Sequence, residues 1–169
     1  MTIEAGPRSS ELSARAIHEI FEASRLLSLA TVGSDGAAHI NTAFFAVGPA
    51  FALFVFSPPS TEHARNLLGN PTAAATVFDS HQAPGSRRGL QLFGEMRMLD
   101  GGAAVDAHAH FTSRFADLRE TAPSYDAVVE KLPSRFFALA PRRIKIFDEV
   151  LLERGEFVEV AVSAAGLLD

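Results

Sequence analysis

Short apolar runs that alternate with polar residues dominate the first third of the chain and constrain its fold most strongly. Residues 26–32 and 37–47 have the two-residue period of strands, and Gly33-Ser34-Asp35-Gly36 between them has the composition of a hairpin turn. Gly48-Pro49 makes another turn before a third run at residues 51–57. Because short turns join antiparallel neighbours, these three runs predict an antiparallel meander.

The rest of the chain supplies more strands and separates them with a few helices. The further predicted strands are residues 72–79, 90–99, 135–148 with an interruption at Pro141, and 156–162. Helices are predicted from Ser10 with Ser9 or Ser10 as cap, and at residues 60–69, 103–115 and 124–131. Gly94 in mid-strand indicates a bulge or a close backbone approach, and the last residues are expected to fray. Six or seven short antiparallel strands favour a closed or nearly closed β-barrel, with a plain sandwich as the alternative.

Composition excludes several classes of protein. The 169 residues suggest one domain, and the absence of Cys excludes disulfides and cysteine metal sites. The lack of Cys also fits a reducing cytoplasm, which is the predicted location. A formal net charge of -5 argues against a nucleic-acid partner. No apolar run approaches the roughly 20 residues of a membrane span, and residues 1–4 lack the features of a signal peptide, so no membrane partner is predicted.

The segment between the third and fourth predicted strands has the features of an anion site. Pro58-Pro59 ends the strand, Ser60 or Thr61 can cap a short helix, and Gly69 can end that helix in the left-handed conformation. Free N–H groups at a helix start can hold an anion, above all a phosphate. The hydroxyl and basic side chains around this helix start are Ser57, Ser60, Thr61, His63 and Arg65.

Other chemistry has weaker support in the residue pattern. His108 and His110 lie on a predicted helix, where residues two apart point to different sides, so we predict no metal site. His108 is expected to pack beside Phe111, with His110 in solvent. The chain has no Gly-x-Ser-x-Gly motif and no Walker loop. A serine–histidine–acid triad stays open, because its members need not be close in sequence, and no catalytic residue is named.

A bound cofactor is the better candidate. The strand at residues 40–45 offers backbone groups beside small polar side chains, and Arg65 and Arg88 supply positive charge. Phe side chains can flank a planar ring, although most of the fourteen are expected to be core.

An ordered set of segments carries a family resemblance over about residues 10–150. The segments are Leu27-Ser28-Leu29-Ala30-Thr31, Asn41-Thr42-Ala43-Phe44-Phe45, Phe56-Ser57 through Asn70-Pro71, Leu90-Gln91-Leu92-Phe93-Gly94-Glu95, and Arg135-Phe136-Phe137-Ala138-Leu139 to Ile144-Lys145-Ile146-Phe147-Asp148. In this order the chain resembles the pyridoxamine 5'-phosphate oxidase-like FMN-binding split-barrel family. It looks closest to the small bacterial members that insert helices before the last strands.

The resemblance implies a mainly β fold with helices, a six-stranded antiparallel Greek-key split barrel of the flavin-binding type. The whole chain, residues 1–169, is then one split-barrel domain, with a loose tail at 1–8 and a helical insertion at 100–133. The resemblance also implies a homodimer with two FMN sites at its interface. The expected activity is that of a flavin-dependent oxidoreductase on a small-molecule substrate.

By position, the resemblance assigns ten residues to cofactor binding: Asn41, Thr42, Ala43, Phe44, Phe56, Ser57, Thr61, His63, Arg65 and Arg88. Glu62 and His63 stand where the oxidase has two basic residues that bind phosphate. A carboxylate there repels phosphate unless it turns away, and Arg65 can compensate. This departure leaves two alternatives open. One is F420 or haem in the same cleft, and the other is a non-enzymatic ligand-binding or stress-related protein.

Overall fold

A computed structural model describes residues 7–151 and 157–167 and shows an antiparallel β-barrel with helices packed around it. The strands in these residues are β1 (Leu26–Val32), β2 (Ala38–Val47), β3 (Leu53–Ser57), β4 (Thr72–Phe78), β5 (Arg88–Met98), β6 (Arg135–Asp148), β7 (Phe157–Ser163) and β8 (Gly166–Leu167). The helices in the same residues are α1 (Pro7–Ala23), α2 (Glu62–Gly69), α3 (Gly101–Arg114), α4 (Ala116–Thr121) and α5 (Tyr125–Lys131).

Pairing between β3 and β6 closes the barrel. The sheet runs in the order β3-β2-β1-β4-β5-β6, and β6 also pairs with β3, so six strands form a complete ring. At this closure Leu53 lies opposite Leu139 and Ser57 lies opposite Arg135. β7 continues the sheet from the far half of β6, and β8 pairs with β7. The closed ring confirms the predicted six-stranded barrel over the sandwich.

Two apolar cores hold the fold together. The first fills the barrel, where alternate strand residues such as Leu29 and Leu92 are fully buried and Ile17 and Phe21 of α1 pack against them. The second lies outside the barrel wall, where Phe54 and Phe136 meet the helices α3 to α5. The predicted helical insertion therefore covers the side of the barrel formed by β2, β3 and β6.

A β-bulge interrupts the regular pairing of β5 with β6. The register between β5 and β6 shifts between Phe93 and Gly94, which confirms the predicted bulge. A Cβ on Gly94 would overlap the carbonyl of Ala140, so only glycine fits without movement of the backbone. Pro141 lies opposite Gly94 at this irregularity. The interruption predicted at Pro141 is wrong, because a bulge accepts a residue without an N–H and β6 continues through it.

Three chain-end and loop predictions differ from the structure. α1 begins at Pro7, a residue whose fixed φ suits the first helical position, so the predicted tail is wrong for residues 7–8 and residues 1–6 lie outside the described part. The third strand begins at Leu53, because Pro49–Phe51 form a 3-10 turn with Ala50 and Phe51 at φ 50° and 59°. Gly166–Leu167 pair with β7 where fraying was expected, and residues 168–169 are not described.

Two helix predictions also need correction. Gly69 lies within α2 and Asn70 follows with an extended φ of -143°, so the predicted left-handed glycine end is wrong. α4 was not predicted, since its six residues carry no buried side chain that would create an apolar period. Within the described residues no helix is both long enough and apolar enough to cross a membrane.

We predict that Gly94→Ala destabilises the protein by at least about 2 kcal/mol, because the added methyl group forces the β5–β6 bulge apart. Urea denaturation followed by circular dichroism measures the change. Gly102→Ala is the matched control, because that glycine lies in α3 with open space around its Cβ position, and it should be neutral or stabilise by up to about 1 kcal/mol. Equal effects of the two substitutions would show that the bulge tolerates a side chain.

Candidate functional site

The end of β3 and the start of α2 form a tight polar corner. Ser57 is the last residue of β3 and is buried. Thr61 turns the chain back, because its backbone N–H and its Oγ1 both donate to the carbonyl of Pro58, at 3.1 and 2.8 Å. Thr61 is the N-cap residue, as predicted, but its side chain makes no capping hydrogen bond to the helix. Without a side-chain cap, the first N–H groups of α2 remain available to an anion.

His63 occupies the centre of this corner. Its Nε2 lies 2.9 Å from Ser57 Oγ and 3.0 Å from Thr61 Oγ1, and only 7% of the residue is exposed. Thr61 gives its one hydroxyl hydrogen to Pro58, so its contact with His63 requires a hydrogen on Nε2. A protonated Nε2 donates to these hydroxyls and cannot take a proton from Ser57. The structure therefore brings a serine and a histidine together without forming a nucleophile–base pair.

Burial sets the charge of His63. Desolvation lowers the pKa of His63 from its usual value, and the neighbouring imidazole of His39 lowers it further. The two rings are nearly parallel, with centroids 6.3 Å apart. His63 is consequently neutral near pH 7 when no anion is bound, and it acts as a hydrogen-bond donor.

The carboxylate of Glu62 is paired with His39, which was not among the predicted site residues. Its Oε1 lies 3.2 Å from Nδ1 of His39, which projects from β2. The carboxylate thus turns toward β2, which is the orientation that an anion at the helix start requires. The two-residue period of β2 places His39 on the same strand face as Asn41, so the sequence offered one indication that His39 belongs to the site. Its contact with Glu62 follows only from the tertiary fold.

Arg65 contributes the permanent positive charge of this corner. It is exposed on the second turn of α2, and its Nη1 donates to the carbonyl of Ser60, the residue before the N-cap. The guanidinium therefore lies back along the helix toward its start and adds positive charge there.

The predicted residues of β2 and β3 divide between two faces. Asn41 and Ala43 point to the inner side of β2, while Thr42 and Phe44 point outward, and Phe44 is 55% exposed. Asn41 Oδ1 is buried and has no hydrogen-bond partner among the described residues. Phe56 packs in the outer core, with its ring centroid 4.7 Å from that of Phe136. Asn41 is thus the residue of this group that needs a further hydrogen-bond donor.

Arg88 is not brought to the corner within one chain. It pairs with Asp148 at the far end of β6, whereas Ser57 pairs with Arg135 at the near end. Its Nε lies 2.7 Å from Asp148 Oδ2 and its Nη2 lies 2.8 Å from Glu19 Oε2. Arg88 also lines an open cleft of about 510 Å³ with Phe78, Lys145 and other residues of β4 to β7. The structure therefore does not bring Arg88 together with the predicted cofactor residues of the α2 corner.

The two histidines of the insertion differ in burial, and the aromatic neighbour of His108 is Phe136 where Phe111 was predicted. His108 is buried beside Phe136, and its Nε2 lies 2.8 Å from the carbonyl of Ala122. His110 is exposed on the same helix and lies against Phe54. Among the described residues no group of three or more His, Cys, Asp or Glu side chains could hold a metal ion.

Comparisons with known proteins agree with this fold. Residues 13–148 match the family model described as pyridoxamine 5'-phosphate oxidase. No curated protein matches the chain in sequence.

Solved structures with the same fold include haem proteins and a flavin protein. A haem binding protein from Mycobacterium smegmatis superposes with a TM-score of 0.71 at 15% identity, over 95% of this chain and 60% of that one. HutZ, the haem storage protein of Vibrio cholerae, superposes with a TM-score of 0.62 at 24% identity, over 75% of this chain and 88% of that one. A pyridoxamine 5'-phosphate oxidase-related, FMN binding protein from Nostoc punctiforme superposes with a TM-score of 0.57 at 17% identity, over 95% of this chain and 98% of that one. The chain spans only 60% of the length of the mycobacterial protein.

The loop before Arg88 should contribute stability that depends on pH. Glu149 accepts hydrogen bonds from the side chain and backbone of Arg87 and from the N–H of Gly85, and these lower the pKa of Glu149 to about 2. A lowered pKa stabilises the fold above the unfolded-state pKa of about 4.3, and this contribution disappears as the pH falls toward 2.

We predict that Glu149→Gln lowers the free energy of unfolding at pH 7 and flattens its decline between about pH 5 and the folded-state pKa of about 2. Denaturant titrations at a series of pH values measure this. Glu120→Gln, at an exposed position of α4, is the control and should keep the wild-type profile. A wild-type decline in the Glu149 variant would contradict the assignment.

Proposed function

The chain belongs to the pyridoxamine 5'-phosphate oxidase family, and we propose that it binds FMN at a homodimer interface as a flavin-dependent oxidoreductase acting on a small molecule. The observation that carries the proposal is the polar corner at the start of α2. Its helix N–H groups, the hydroxyl of Ser57 and the guanidinium of Arg65 form a site for the FMN phosphate, while Thr61 donates its hydroxyl hydrogen to Pro58 and shapes the turn.

The residues present fit the rest of the cofactor as well. The buried Oδ1 of Asn41 lacks a donor among the described residues, and a ribityl hydroxyl or a flavin N–H can supply one. Glu62 is bonded to His39 and therefore turned from the phosphate position. When bound, FMN supplies hydride-transfer chemistry, while the protein binds and orients it and excludes water.

The outer wall of the barrel supports the proposed dimer. Leu26 of β1 lies opposite Phe44 of β2, and Ala30 lies opposite Ile40, with all four side chains on the outer face. Ile40, Phe44 and Leu26 are 69%, 55% and 44% exposed, which is unusual for neighbouring large apolar side chains. A second copy of the chain on this wall would bury these side chains. It would also add a second Arg88 to the assembly.

Haem in the same cleft is the second candidate, with binding or storage as the role in place of catalysis. His39 and His63 place two imidazoles at the corner, and imidazole is a common haem ligand. Two of the proteins with this fold described above are haem proteins. Titration with haemin, followed by the Soret band, distinguishes this candidate from FMN, which is followed by quenching of flavin fluorescence.

We predict that Arg65→Ala weakens FMN binding by about three- to tenfold, because the side chain makes a charge-assisted contact with the phosphate. Riboflavin, which lacks the phosphate, should bind the variant as it binds the wild type. Arg119→Ala, at an exposed arginine of α4, is the control and should change the affinity for neither FMN nor riboflavin. Equal losses for FMN and riboflavin would remove Arg65 from the phosphate site. A wild-type protein that ignores FMN at high concentration would overturn the proposed cofactor.

We predict that Ile40→Glu converts the dimer into monomers, because a charge would be buried in the apolar wall. Sedimentation velocity measures the mass. Val129→Glu on α5, where the side chain is 47% exposed, is the control and should stay dimeric. A wild-type chain that is monomeric at micromolar concentration would refute the proposed interface.

A further inference from the structure

We propose that His63 takes up a proton beside the start of α2 when the FMN phosphate binds, in a site that the neighbouring His39 helps to arrange. The inference rests on the proposed function and deepens it. It assigns a positioning role to His39, which holds Glu62 aside, and a charge-supplying role to His63, which replaces a permanent cation.

The first argument is the hydrogen bonding of His63. Its Nε2 is shared by the hydroxyls of Ser57 and Thr61 at 2.9 and 3.0 Å, and the residue is 93% buried. A buried neutral imidazole becomes charged readily only when a negative group approaches. A phosphate at the start of α2 is such a group, and the hydroxyl hydrogen of Ser57 remains available to it.

The second argument is the coupling of the two rings. His39 and His63 stack with an angle of 22° between their planes, so a charge on one opposes a charge on the other. His39 is nearer to Glu62, with 3.2 Å between Nδ1 and Oε1, and its side chain is 24% exposed. This contact assigns His39 to the positioning of Glu62 and leaves His63 as the group that takes up the proton when the phosphate arrives.

The other charged groups around His63 have partners of their own. β1 and β3 carry no ionisable side chain, and β2 contributes His39 alone. β5, which also contacts α2, carries Glu95, whose carboxylate is bonded to Arg97 and Arg142.

Two arginines complete the surroundings of His63. Arg135 of β6, opposite Ser57, donates to the carbonyls of Leu132 and Ser134. Arg65 remains as the permanent cation on α2, which leaves a doubly charged phosphate undercompensated by about one charge.

The consequence is a pH dependence of binding with a defined sign. The bound phosphate raises the pKa of His63 above its value in the free protein. Affinity for FMN is therefore greatest at low pH and falls as the pH rises toward the bound-state pKa, by at most about tenfold per pH unit. Because the phosphate itself takes up a proton near pH 6, the informative range lies above about pH 6.5.

The test measures the dissociation constants of FMN and riboflavin by fluorescence quenching between about pH 6.5 and 8.5. We expect FMN binding to weaken by about tenfold across this range and riboflavin binding to change by less than about twofold. Calorimetry in two buffers of different ionisation enthalpy should show uptake of a fraction of a proton with FMN and none with riboflavin.

Three variants separate the roles of the side chains. His63→Gln should remove the pH dependence. His39→Gln should weaken FMN several-fold at about pH 6.5, because Glu62 is released toward the phosphate, and adding Glu62→Gln should restore the affinity. His110→Gln, an exposed histidine of α3, is the matched control and should behave as the wild type.

The outcomes distinguish the inference from the function on which it rests. FMN binding that is independent of pH and takes up no proton overturns the inference and leaves the cofactor proposal intact. Wild-type affinity in His39→Gln removes His39 from its positioning role. Absence of FMN binding at every pH overturns the cofactor proposal and this inference with it.

Discussion

The pairing of β3 with β6 is the interaction on which the remaining structure depends. It joins a strand near the start of the barrel to one about 80 residues later, so its loop-closure entropy must be offset by the apolar core that it encloses. The same pairing fixes the end of β3, where Ser57 lies opposite Arg135. Closure therefore builds the barrel and also sets the position of the polar corner at the start of α2.

The polar corner shows how the fold accommodates Glu62 and His63 at the start of α2. His63 and Glu62 stand where the resemblance implies two cations, and each has a partner inside the chain, in Ser57 and in His39. Those partners hold the Glu62 carboxylate beside β2 and give the buried imidazole of His63 a hydrogen-bond partner. They also leave the site less positive than an arginine or lysine pair would make it, so the phosphate recognition that we propose depends on hydrogen bonding and proton uptake.

Sequence periodicity predicted much of the architecture because the strands are amphipathic and their turns are short. β1 was predicted to the residue, and Gly94 was correctly assigned to a bulge. Predictions failed where tertiary contacts override local signals. Pro141 does not interrupt β6, because the bulge removes the need for its N–H. α4 gave no signal, because none of its side chains is buried.

The candidate site divides in the same way. The sequence by itself determined that a short helix with a free N-terminus follows β3, since prolines, hydroxyl residues and spacing are local properties of the chain. Only the tertiary structure decided that His39 meets Glu62, that the Oδ1 of Asn41 lacks a partner in the described chain, and that Arg88 lies at the opposite end of β6. The physical reason is that strand register and barrel closure, which no local pattern encodes, determine which distant side chains share a site.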